Sequence, residues 1–219
     1  MTNPESDGLF DHDWDERSEV SWTEADWARY LAEQDAAVKE YLGHYEQLAG
    51  SPERLDEAAR RMGWQLSETA ATEIDDEEAP DAAEAFADDW EPYTLHRNPV
   101  YIATQALALS LLGAWERTAG TAEAVPAVLA LQVQAALYRG HTLALQAIQA
   151  LDLGDYTLAL CFFKRALTEL NGTLALLNQP AASMGPFAGY REFALPRLFD
   201  LREIWLRVMG ECRISDAEE

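Results

Sequence analysis

The chain has 219 residues, 48% of them apolar and 25% charged, and a formal net charge of -23. That apolar content excludes disorder throughout and requires at least one packed core. An acidic field of this size repels nucleic acid and anionic membranes, which are gripped through Lys and Arg. Direct nucleic-acid or membrane binding is therefore not expected, and a protein partner of basic character is favoured.

The charge is unevenly placed. Residues 1–91 hold 27 acids against 6 bases, and the remainder holds 12 against 10. The only cysteines, Cys161 and Cys212, make no disulfide framework, which fits a reduced, cytoplasmic setting. Residues 1–7 carry neither a basic segment nor an apolar run, so no signal peptide is expected. The uncharged stretch 98–115 is diluted by Asn98, Thr104, Gln105, Ser110 and Gly113. It reads as a buried bundle helix rather than a membrane span.

In chain order, residues 1–20 read as a mobile acidic tail with scattered aromatics, and 21–65 as a helical hairpin. Its first helix begins near Ser21 to Thr23, where Ser21 and Glu24 have capping-box spacing. Trp27, Leu31, Val38, Leu42, Tyr45 and Leu48 mark one apolar stripe, widened by Tyr30 and Tyr41. Gly50 ends this helix, Ser51-Pro52 starts the second, and Gly63 stops it. Leu55, Ala58, Ala59 and Met62 face inward. Residues 66–97 read as a partly ordered acidic linker, because the like charges from Glu73 to Glu78 repel one another.

The second half, 98–213, reads as an antiparallel up-down four-helix bundle, followed by an acidic tail at 214–219. Asn98-Pro99 caps the first helix, which runs to about Thr118. The second is expected from about Ala122 to Leu153, with Pro126 in its first turn and Gly140 as a weak point. Gly154-Asp155 turns into a third, about Tyr156 to Asn178. Its inner seam is Tyr156, Ala159, Phe163, Ala166, Leu170, Leu174 and Leu177. The last runs from about Tyr190 to Cys212, with Phe193, Ala194, Leu198, Leu201, Trp205 and Val208 inward. The short connections force neighbouring helices antiparallel, and the hairpin is a natural cover for the first of them, which is apolar nearly all round.

One local stretch, Gly154-Asp155-Tyr156 followed by Ala159-Leu160, Phe163 and Ala166-Leu167, resembles the second helix of a tetratricopeptide repeat. The resemblance covers about one 34-residue repeat, with no second copy in the chain, and implies a peptide-binding groove.

Chemistry-bearing residues are sparse. There is no Glu-x-x-His pair, phosphate loop or Cys-x-x-Cys, and no cofactor is implied. His141, Glu169 and Glu203 are the residues from which a metal site between helices could assemble. Cys161, in Leu-Cys-Phe-Phe, reads as a buried and inert thiol, with Cys212 nearer the surface. Arg191, Arg197, Arg202, Arg207 and Arg213 cluster on the last helix, where they can clamp the acidic first lobe. Five of the seven tryptophans precede residue 91, and Trp14, Trp22, Trp90 and Tyr93 are the candidate partner-binding residues.

These features favour a non-enzymatic helical interaction or scaffold protein, and wide apolar helix faces also suit a homodimer. The alternatives are a metal-binding or enzymatic bundle with its site between helices, and an acidic mimic of nucleic acid that occupies a basic groove.

Overall fold

The computed structural model describes residues 23–64, 95–120, 125–180 and 185–218. Every regular element among them is helical. These are α1 (Glu24–Gln47), α2 (Arg54–Arg61), a 3-10 turn (Leu95–Arg97), α3 (Pro99–Ala119), α4 (Ala127–Asp152), α5 (Tyr156–Leu177) and α6 (Gly185–Glu218). The fold class is all-α, as the periodicity required. The chain divides into two units, residues 1–33 and 34–219.

In the first unit, α1 opens on a reciprocal capping box. The Thr23 hydroxyl oxygen accepts from the Asp26 N–H, and the Asp26 carboxylate accepts from the Thr23 N–H at 3.0 Å. The residues that form it are therefore Thr23 and Asp26; Ser21 lies outside the described residues. Trp27 and Tyr30 pack edge to face, yet Trp27 and Leu31 are each 49% exposed. The expected inward stripe is corrected at these two positions, while Tyr30, Val38, Tyr41 and Tyr45 are buried as expected.

In the second unit, α3 packs on α4, α4 on α5, α5 on α6, and α6 back on α3, closing a ring of four. The pairings run antiparallel. Along α3 and α6, Thr104 meets Trp205 while Trp115 meets Phe187. Along α5 and α6, Phe163 meets Trp205 while Asn178 meets Arg191. The core holds Leu107, Leu111, Trp115, Ile148, Phe163, Phe187, Leu198 and Trp205. Each large side chain contributes about 1.5–3 kcal/mol by leaving water. The buried Trp205 indole N–H is satisfied by the Thr104 hydroxyl at 3.2 Å.

Local chemistry sets the helix ends. The Asn98 side chain accepts from the Val100 and Tyr101 N–H groups, with Pro99 at the first helical position. The Asp155 carboxylate accepts from the Leu158 N–H at 2.9 Å. Gly154, at φ 76°, makes the left-handed step that joins α4 to α5. Three boundaries differ from expectation. α4 begins at Ala127, after Pro126, rather than near Ala122, because proline disfavours helical backbone in the residue before it. α4 also passes Gly140 unbroken, since that glycine is buried against α5 instead of marking a break. α6 begins at Gly185, carries Pro196 in its interior and runs to Glu218, well beyond Cys212.

Candidate interaction face

Of the five arginines on α6, Arg197 and Arg207 form the expected clamp, Arg191 bonds Asn178, and Arg202 and Arg213 stand at the surface. Arg197 reaches Glu46 of α1, and Arg207 bonds Asp56 of α2 together with its helical neighbour Glu203. A third ion pair runs the opposite way. Asp200 of α6 accepts from the Arg54 guanidinium, at 2.8 Å for one of the two bonds, and from the Tyr45 hydroxyl. Both carboxylate and guanidinium are largely buried. The hydrogen bond to Asp200 pushes the Arg54 guanidinium still further toward its charged form. Burial, then that same carboxylate, pushes the Tyr45 phenol well above its usual range. This network is structural: its donors and acceptors answer one another.

The three candidate metal ligands are not brought together. His141 Nε2–H donates to Gln105 at 2.7 Å, Glu169 accepts from Arg139 at 2.9 Å, and Glu203 pairs with Arg207 at the surface. No group of three His, Cys, Asp or Glu placed to hold a metal exists among the described residues. Burial depresses the His141 imidazole below its ordinary value, so it stays neutral near pH 7. The cavity behind it, lined by Ala108, Leu137, Thr173 and Trp205 among others, has a volume of about 20 Å³, room for roughly one water.

The thiols exchange roles. Cys161 is exposed on the outer side of α5, whereas Cys212 is buried and its thiol is pushed up by desolvation. Apolar neighbours in sequence do not bury a residue when the helix turns them to other faces. The partner-binding candidates Trp14, Trp22, Trp90 and Tyr93 lie outside the described residues. No described helix is long and apolar enough to cross a membrane.

What the structure does present is the outer side of α4. Val128 is 70% exposed, Leu131 69% and Tyr138 45%. At 3.6 residues per turn these three fall with Ala135, Thr142 and Gln146 inside an arc of about 80°. Isolated exposed apolar residues are ordinary, but three large ones on one face of one helix make a patch. Farther along the same face lies a groove of about 450 Å³ between α4 and α5. It is lined by Tyr138, Arg139, Thr142, Gln146, Arg165 and Glu169, among others. The Tyr138 hydroxyl donates to Glu116 at 3.1 Å, and this fixes its ring beside α3.

Sequence reasoning missed this face. Its signal is the run 125–151, which contains no acid although 39 acids in 219 residues would place about five there. No protein-family model, curated protein or solved structure matches this chain.

Proposed function

We propose that this is a non-enzymatic helical interaction protein, in which the bundle holds the outer face of α4 rigid for another protein to dock on. The observation that carries the reading is the exposure of Val128 and Leu131 on a helix whose opposite side is fully packed. Leaving such side chains in water forgoes about 1.5–3 kcal/mol each, a gain that a partner can recover. The described polar groups support an interaction role over catalysis: His141, Glu169, Glu203 and Asp200 are each engaged by a neighbour.

The test is size-exclusion chromatography of native cell extract containing wild-type protein or the V128E/L131E double variant. Both positions are exposed, so the variant keeps its helical spectrum. The reading expects wild type to elute in a larger complex and the variant to elute as free chain. Identical elution of the two would contradict it.

A further inference from the structure

Building on that reading, we infer that the docking partner is an amphipathic helix carrying carboxylates at one end. Its apolar side chains lie along Val128, Leu131 and Tyr138, and its acids reach Arg139 and Arg165. Charge complementarity selects this partner. Acids outnumber bases 39 to 16 in the chain, yet between Val125 and Thr168 the only acids are Asp152 and Asp155, at the turn between α4 and α5. The same segment holds Arg139, Lys164 and Arg165. Lys164 and Arg165 are exposed and have no acidic partner among the described residues, in a protein with carboxylates to spare. Arg139 is fixed by Glu169 through one N–H, and a guanidinium has five to offer.

The geometry suits a helix. Val128 to Thr142 spans about 21 Å along α4, some four turns of a helix laid beside it. A second copy of this chain fits poorly, because its own α4 brings no carboxylate to Arg165 and its body adds a further -23 of like charge. Three bases are also too few to hold nucleic acid against that field.

The test is a displayed library of random 16-residue peptides selected on the full chain and, in parallel, on the L131E variant. A protein with this net charge selects basic peptides by default. The inference expects apolar residues at three- and four-residue spacing with Asp or Glu at one end. It also expects R165Q, which breaks no side-chain bond among the described residues, to weaken the best such peptide by about tenfold. The same substitution should leave unchanged the binding of that peptide's amide counterpart, with Gln and Asn in place of its acids. Basic peptides that are lost on L131E would overturn the inference while leaving the interaction face standing. Peptides indifferent to L131E, or no enrichment, would overturn both. A concentration-dependent dimer abolished by L131E in sedimentation equilibrium would replace the acidic helix with a second copy.

Discussion

Asp200 shows how much of this molecule hangs on single carboxylates. It is the acceptor for both the Arg54 guanidinium and the Tyr45 hydroxyl, in a largely dry setting. Asp200→Asn removes the charge and leaves Arg54 without its counter-ion. Breaking one side of such a pair costs about 3 kcal/mol, visible as a lower urea midpoint. An unchanged midpoint would mean that the network contributes nothing. His141 gives a pH dependence of known sign. Its folded value lies below the ordinary 6.5 because burial disfavours the cation. Its neutral form therefore supports the fold above about pH 6.5, and that support is lost as pH falls and the unfolded state takes up the proton. Between pH 7.5 and 5.5 wild type should lose more stability than His141→Gln, and equal losses would contradict the assignment. Neither role was legible beforehand. From sequence His141 is no more than a candidate metal ligand and Cys161 looks buried, because linear neighbours do not tell which way a helical side chain points.

At the scale of elements, Gly140 decides how α4 meets α5. A Cβ there would lie 3.5 Å from the Glu169 Cβ, 3.9 Å from the Ala166 carbonyl oxygen and 4.0 Å from the Leu170 nitrogen, all ordinary contacts. Gly140→Ala should then stabilise by about 0.5–1 kcal/mol, the usual gain for removing a glycine from a helix interior. Gly140→Leu should destabilise by about 1–3 kcal/mol, since its branch must force the helices apart. Thermal melts of the two variants moving in the same direction would refute this geometry. The helices themselves were legible from period and caps: Asn98-Pro99, Gly154-Asp155 and the seam from Ala159 to Leu177 all stand where the pattern put them. The errors fell at prolines. Pro126 bounds a helix it was expected to enter, and Pro196 sits well inside a helix whose start was set too late. A proline's position within a helix depends on what accepts the freed backbone groups, which the sequence does not state.

For the whole molecule, charge is the organising quantity, and it is partitioned rather than merely large. The acids concentrate in residues 1–91, α6 spends Arg197 and Arg207 on Glu46 and Asp56, and the α4–α5 pair is left almost free of acid. The net total alone pointed to a basic partner; the local composition points the other way. That reversal was available in the sequence, as a gap in the acids from Val125 to Leu151, but a gap acquires meaning only once those residues are seen to share an exposed face. The most direct measurement is photo-crosslinking in intact cells from a benzophenone side chain placed at position 131, with a matched one at the exposed Arg60 of α2 as control. The account predicts a discrete protein adduct from 131 and none from 60. No adduct at 131, or the same adduct from both positions, would contradict it.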